Sequence, residues 1–306
     1  MRAITQKSVG GPEVLEIIER PVPVPGPGQV LVRIKAAGIN PVDAAVRAGY
    51  FPLLGEPPFT VGWDISGVVV TAAGRLLRWR RGVWNAFLSK TGRGLCRTDR
   101  RSRFRACAQT QRSRSRPGSG LAACRPHTAW QGLAGAGRLQ QGQRVLIHAG
   151  AGGVGHLAVQ IAKARGAYVI ATASPGKLDF VRSLGADEAI DYKAEDFVAF
   201  ARDIDIVLDP IGGEHVLRSL QTLRSGGVLV ALLDPSDHAR SEASSRGIRL
   251  DRISVSPDRD GLVELIRLVD AGKLAVHVAK TFPLDQAAAA HAYLGTKPMG
   301  KVVLTM

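Results

Sequence analysis

The stretch from Arg144 to Lys163 carries chemistry in its order alone. Arg144-Val-Leu-Ile-His-Ala is an apolar run the length of one buried strand. It ends in Gly150-Ala-Gly152-Gly153-Val154-Gly155, and a helical apolar spacing (Val154, Leu157, Ala158, Ile161) begins at once. Gly-x-Gly-x-x-Gly between a strand and a helix predicts a dinucleotide cradle. In such a cradle Gly150 makes the tight turn, Gly152 lets the backbone approach a pyrophosphate, and Gly155 lets helix and strand pack closely. The N–H groups at the helix start, with Gly153 and Val154 among them, take the phosphates. A second strand follows at 167–174. A site preferring NAD carries Asp or Glu at the end of that strand to hold the ribose 2'-hydroxyl. This chain has Ser174 there, with Lys177 three residues on. A hydroxyl and an ammonium attract a 2'-phosphate that a carboxylate would repel, so the expected cofactor is NADP(H). Lys177 also reads as an ordinary solvated lysine at the start of the next helix. His148 reads as a packed histidine rather than a catalyst.

These residues need a scaffold, and the surrounding pattern supplies one. From Thr128 onward strands (144–149, 167–173, 205–209, 227–233) alternate with helices (near 153–166, 176–184 and 213–223). This predicts an α/β fold, a doubly wound parallel sheet of Rossmann type. Residues 1 to 70 are β-rich instead, with strands expected at Val14–Glu19, Val30–Ala36 and Thr60–Val70. Between the first two lies Pro21-Val-Pro-Val-Pro-Gly-Pro-Gly28, which cannot pair regularly. Beyond residue 260 come an amphipathic helix at Gly261–Ala271, an Ala-rich helix at Asp285–Leu294 and a last strand at Gly300–Thr305.

Length and charge bound the rest. A chain of 306 residues can build two domains. It shows no secretory leader pattern and no apolar run of membrane-spanning length, so a cytoplasmic protein without membrane partners is expected. The formal net charge is +15, but residues 75–126 hold 15 of the 41 Lys and Arg and one acid, Asp99. That window is the basic part, and the remainder is near neutral. Cys96, Cys107 and Cys124 also fall inside it, without the paired spacing of a zinc site or a disulfide framework. One reading of the window is a nucleic-acid-binding arm. The near absence of interleaved aromatics speaks against it, and no nucleic-acid partner is expected.

Taken together, several segments resemble the medium-chain dehydrogenase/reductase superfamily, in its zinc-free quinone oxidoreductase-like branch. They are Gly10-Gly-Pro-Glu-Val-Leu15, Pro25-Gly-Pro-Gly-Gln-Val-Leu-Val32, Ala37-Gly-Ile-Asn-Pro-Val-Asp43, Gly62-Trp-Asp-Ile-Ser-Gly67, Thr128-Ala-Trp130, the glycine cradle, Asp209-Pro-Ile-Gly-Gly213 and Gly300-Lys-Val-Val-Leu304. The resemblance implies a GroES-like substrate domain over 1–127, an NADP-binding Rossmann domain over 128–260, and a return to the substrate domain over 261–306. It also implies an active site in the cleft and, as in many relatives, a homodimer. Zinc-dependent relatives carry Cys where this chain has Asn40, and His-Glu where it has Trp63-Asp64, so no catalytic zinc is expected. The implied reaction is hydride transfer from NADPH to a small-molecule quinone or α,β-unsaturated carbonyl, whose conjugation spreads the developing charge onto an oxygen. Asn40 and Tyr50 are the implied hydrogen-bond donors to that oxygen. Asn40 also reads as a turn residue before Pro41, and Tyr50 as a hydrophobic plug. Thr128 resembles a residue that contacts the nicotinamide end, or it caps the following helix. Tyr192 matches a position beside the adenosine phosphate, or is a half-buried strand aromatic.

The resemblance fails over residues 75–127. The family pattern there contains Gly-Asp-Glu-Val-Tyr-Gly, then Gly-Ala-Tyr-Ala-Glu, then Leu-Pro-Leu-Ala-Gly-Leu. None occurs as written. All three can be recovered, in order, by choosing among the degenerate codons for Trp79–Asn85, Gly92–Arg97 and Leu121–Pro126 and reading them from their second base. The window therefore reads as a frame-shifted stretch that disrupts the middle of the substrate domain, with Arg100–Arg116 expected to lack order. NADP(H) binding is then expected to outlast catalysis, and the alternative function is a catalytically inactive NADP(H)-binding protein.

Overall fold

Four prolines between residues 20 and 28 separate a small ribbon from the first long strand. The computed structural model describes residues 1–25, 29–72, 83–87, 95–97, 126–256 and 258–306. Arg2–Thr5 (β1) pairs antiparallel with Glu16–Glu19 (β2). The strand expected from Val14 is shorter because Pro12–Val14 forms a 3-10 turn ahead of it. After the prolines come Gln29–Ile39 (β3), the helix Pro41–Arg47 (α1) and Asp64–Ala72 (β4). Thr60 to Trp63, expected as strand, precede β4 without joining it. Within the basic window Val83–Phe87 (β5) and Leu95–Arg97 (β6) are strands that continue the sheet on β4 and β3. Most of that window, including Arg100–Arg116, lies outside the described residues.

The middle of the chain alternates as its pattern predicts. A helix Pro126–Trp130 (α2) runs on as a π-helical segment, Gln131–Ala136. Then follow Arg144–Ile147 (β7), Gly155–Ala164 (α3), Tyr168–Ala173 (β8), Leu178–Ser183 (α4), Glu188–Asp191 (β9), Phe197–Phe200 (α5), Ile204–Asp209 (β10), Glu214–Leu220 (α6), Leu223–Ala231 (β11), Asp237–Ser245 (α7) and Arg249–Arg252 (β12). The strands form one parallel sheet in the order β9-β8-β7-β10-β11-β12, so the direction of winding reverses between β7 and β10. Val145, Leu146 and Ile147 of β7 and Ile206, Val207 and Leu208 of β10 are buried, as strands covered on both faces require. The edge strands β9 and β12 were not expected from sequence, for a physical reason. Edges face water on one side and carry charges that prevent pairing with other chains, so Glu-Ala-Ile-Asp and Arg-Leu-Asp-Arg lack the apolar signature. The helix α7 was missed likewise: it buries only Ala239 and Ala243, and its start is fixed by Ser236 Oγ, which accepts the Ala239 N–H at 3.2 Å.

The chain closes with Arg259–Asp270 (α8), Val278–Pro283 (β13), Ala287–Gly295 (α9) and Lys301–Thr305 (β14). β14 pairs antiparallel with β3 and parallel with β13, completing a sheet ordered β13-β14-β3-β4-β5 with β6 also on β3. Ile39, Phe282, Leu284, Val302 and Leu304 form its core with Ala287 and Ala290 of α9. Two compact units result. One comprises residues 1–125, 257–263 and 276–306, the other 126–256 and 264–275. Among the described residues no helix is long and apolar enough to cross a membrane.

Candidate active site

The cradle is built by close packing of backbone. A Cβ on Gly155 would stand 2.1 Å from the Ala149 carbonyl oxygen and 2.7 Å from Gly150 Cα, and one on Gly150 would stand 2.9 Å from Ala171 Cβ. The left-handed residue of the turn is Ala149, at φ 52°, not Gly150. Gly150 is needed for space against β8 rather than for the turn itself, which corrects the role expected of it. Thr172 anchors the turn: its carbonyl accepts the Gly150 N–H at 2.8 Å, and its hydroxyl accepts the Ala149 N–H at 3.3 Å. Gly152, Gly153 and Val154 are half-buried, and among the described residues the N–H groups of Gly153 and Val154 make no backbone hydrogen bond. No acid lies in the first turn of α3, so the positive end of that ten-residue helix is uncompensated.

At the end of β8 the chain reads Ser174-Pro-Gly-Lys177, with no carboxylate. Ser174 and Lys177 are half-buried, and a Cβ on the intervening Gly176 would meet only open space. β8 and β9 are neighbours, and the Tyr192 N–H donates to the Ala173 carbonyl at 3.3 Å. Tyr192 and Ser174 are thus brought to adjacent strand ends; Tyr192 is 49% exposed, and it follows the last residue of β9 rather than standing in the strand. Thr128 lies inside α2, which packs on α3, and not at its start. It is 2% exposed and its hydroxyl has no hydrogen-bond partner among the described residues, so it caps nothing. A buried hydroxyl without a partner is costly unless a ligand completes it.

Below the cradle lies a hydrogen-bonded cluster that the sequence did not flag. Ser219 Oγ donates to the His215 carbonyl at 2.8 Å and so accepts from His148 Nε2 at 3.0 Å. His148 Nδ1 then accepts from the Thr172 hydroxyl at 3.1 Å. Burial, reinforced by His215, lowers the His148 pKa to about 3, so the ring is neutral and packed. Asp209 accepts the N–H groups of Ile211 and Gly212 at 2.7 and 3.0 Å and pairs with His215 Nδ1 at 3.1 Å. Burial pushes its carboxyl upward, but the His215 contact and the two amides outweigh that and hold it below the ordinary carboxylate range. His148, Asp209 and His215 offer ligand atoms within 4.8 Å of one another. Two atoms bound to one zinc stand at most about 4.2 Å apart, and both His148 nitrogens are already bonded to Ser219 and Thr172 while His215 Nδ1 is bonded to Asp209. The cluster fixes the turn after β10.

The other unit holds a second polar group. Asn40 is the N-cap of α1, where its N–H donates to Asp43 Oδ2 at 2.6 Å. Its side chain is committed elsewhere: Nδ2 donates to Asp64 Oδ2 at 2.8 Å, and Oδ1 accepts from Lys301 Nζ at 2.5 Å. Lys301 Nζ also lies 3.8 Å from Asp64 Oδ2, and all three residues are buried. Asp64 and Lys301 both stand in segments quoted for the family resemblance, yet neither was singled out as a site residue. Tyr50 follows the C-terminal end of α1, its N–H bonded to the Ala45 carbonyl, and is 86% exposed, so it plugs no core. Asn40 and Tyr50 therefore flank opposite ends of a seven-residue helix, about 10 Å of rise, and are not brought together.

A parallel sheet in this order, with a glycine turn opening the helix beside its switch point, defines a dinucleotide-binding unit of the dehydrogenase type. The comparisons with known proteins narrow the class. Residues 26–134 match the alcohol dehydrogenase GroES-like domain, and residues 184–304 match the zinc-binding dehydrogenase domain. A 2-haloacrylate reductase of a Burkholderia species is 32% identical over 329 residues, covering 99% of this chain and 98% of that protein. The spectinabilin polyketide synthase protein NorB of Streptomyces orinoci is 34% identical over 314 residues, where the chain spans 97% of itself but only 14% of that protein. The crystal structure of Escherichia coli quinone oxidoreductase complexed with NADPH superposes with a TM-score of 0.85 at 26% identity, covering all of both chains. The chain belongs to the medium-chain dehydrogenase/reductase superfamily, among the quinone oxidoreductase-like reductases.

Proposed function

We propose that the chain is a zinc-independent, NADPH-dependent reductase that passes hydride to a quinone or an α,β-unsaturated carbonyl. The observation that carries this is the cradle, where packing demands Gly150 and Gly155 and the N–H groups of Gly153 and Val154 lack backbone acceptors. Gly150, Gly152, Gly153, Val154 and Gly155 would hold the pyrophosphate, Ser174 and Lys177 the 2'-phosphate, Tyr192 the adenosine side, and Thr128 the nicotinamide end. The Thr128 hydroxyl, without a partner among the described residues, fits such a ligand. Bound there, the cofactor supplies a hydride from its nicotinamide C4.

Zinc does not suit the residues where relatives bind it. Asn40, Trp63 and Asp64 offer one carboxylate, and the Lys301 ammonium already stands against Asp64 Oδ2 and Asn40 Oδ1. Without a Lewis acid the acceptor has to be activated by conjugation, with Asn40 donating to its oxygen as charge develops. Tyr50, at the far end of α1, contributes an exposed aromatic contact rather than a second donor to the same atom. A homodimer and a cytoplasmic location are the further expectations of this reading. The departure over 75–127 favours one alternative, NADP(H) binding without turnover.

The test is consumption of NADPH, followed at 340 nm, with 1,4-benzoquinone and with an enone, before and after dialysis against a chelator. Turnover that survives dialysis supports the proposal. Loss on dialysis overturns zinc independence, and NADPH binding without turnover favours the alternative.

A further inference from the structure

We propose that Lys301 and Asp64 are positioning residues that hold the Asn40 amide in a single orientation. The inference rests on the reading of Asn40 as a donor to the acceptor oxygen. Strand register brings the three together. β3 is central: its Ile39 is opposite Val302 of β14, so Lys301 falls beside Asn40, and its Gly38 is opposite Asp64 of β4. Just before Lys301, Gly300 adopts φ 75°, and a Cβ there would stand 2.1 Å from the His277 carbonyl oxygen. That same carbonyl accepts the Lys301 N–H at 2.9 Å, so the start of β14 is fixed and the lysine is delivered to one place.

The chemistry of the two partners then determines the amide. An ammonium only donates and a carboxylate only accepts. With Oδ1 on Lys301 at 2.5 Å and Nδ2 on Asp64 at 2.8 Å, both contacts are charge-assisted. A flipped amide would set N–H against ammonium and carbonyl against carboxylate, two repulsive contacts in a buried site. The ammonium and carboxylate also neutralise each other, which lowers the cost of burying either. One Nδ2 hydrogen is spent on Asp64, and the other has no acceptor among the described residues. The lock therefore aims one amide hydrogen and needs no metal to do so. Lys301 supplies a fixed positive charge behind the donor.

Two readouts test this on the full chain. In a proton–nitrogen spectrum of protein labelled at asparagine, identified through Asn40→Ala, the wild-type Asn40 amide should give two distinct protons, one downfield and slow to exchange with solvent. Lys301→Met, and independently Asp64→Asn, should collapse that difference. A wild-type amide that exchanges freely, or one unchanged in a folded Lys301→Met protein, overturns the lock. In steady-state kinetics Asn40→Ala should lower kcat with an enone about a hundredfold, as loss of one oriented donor does. Lys301→Met should lower it about tenfold with the KM for NADPH unchanged, and should have no further effect in the Asn40→Ala background. An equal loss in that background means Lys301 does not act through Asn40 and overturns the inference. If Asn40→Ala leaves turnover intact while the spectrum responds to Lys301→Met, the lock stands and the donor reading fails.

Discussion

Two glycines of the cradle should respond to the same small change in opposite ways. In Gly155→Ala the new methyl would lie 2.1 Å from the Ala149 carbonyl oxygen, with Gly150 Cα at 2.7 Å also in its way. Both obstacles are backbone, so neither can rotate aside. Relief requires α3 to move off β7 by roughly 1 Å, a degree of overpacking that costs about 3 kcal/mol. For a unit of this size that lowers the melting temperature by about 10 °C. In Gly152→Ala the nearest atom is the Ala149 oxygen at 3.2 Å, and φ is not in the left-handed region. A shift of a few tenths of an ångström accommodates it, so stability should change by less than about 1 kcal/mol. Its methyl would instead occupy the half-buried turn assigned to the pyrophosphate and weaken NADPH binding by at least about tenfold. Differential scanning calorimetry and fluorescence titration with NADPH separate the two. A Gly155→Ala protein that melts with the wild type would refute the packing argument. A Gly152→Ala protein that binds NADPH normally would refute the assignment of this turn to the phosphates.

The remaining expectations concern charge and the basic window. Lys177→Ala should weaken NADPH by about tenfold or more, the worth of one charge-assisted hydrogen bond, and NADH much less; equal weakening of both counts against a 2'-phosphate role. His148 and His291 are held neutral, at about 3 and about 4, first by burial and then by His215 and by Arg47 respectively. Their unfolded pKa is near 6.5, so below that pH the unfolded chain binds protons the folded chain refuses. Stability is therefore full above about pH 6.5 and falls toward pH 4 by about 1.4 kcal/mol per pH unit for each histidine. Urea midpoints should drop between pH 7 and pH 5, and less steeply in His291→Gln; midpoints flat over that range would contradict the assignment. Sequencing the gene across the codons for residues 65–135 should show that the frame shift, a pair of compensating base insertions or deletions, vanishes and that the family pattern is restored. An unaltered reading frame would leave the basic segment as a true feature of the protein.

The interior of the Rossmann unit was legible because burial writes itself into sequence. Val145–Ile147 and Ile206–Leu208 lie in strands covered on both faces, and Gly155 sits where a Cβ would strike backbone. The edges were not legible, since β9 and β12 are selected for charge rather than apolar contact. Glycine tolerates left-handed backbone, so the sequence points to Gly150 as the turn former, while the strained φ falls on Ala149, whose turn is held by Thr172 from the neighbouring strand. That is a tertiary effect with no local trace. The Asn40 group shows the same limit more sharply. Asn40, Asp64 and Lys301 are far apart in sequence, and no spacing rule connects them. Each appeared in a segment that resembled the family, but the relation among them exists only in the register of β4, β3 and β14. Residue types alone left Asn40 as a donor or a turn former. Its N–H on Asp43 and its amide between an ammonium and a carboxylate make it a helix cap and a fixed dipole at once. Backbone and side chain serve different partners, so the cap and the donor reading do not compete.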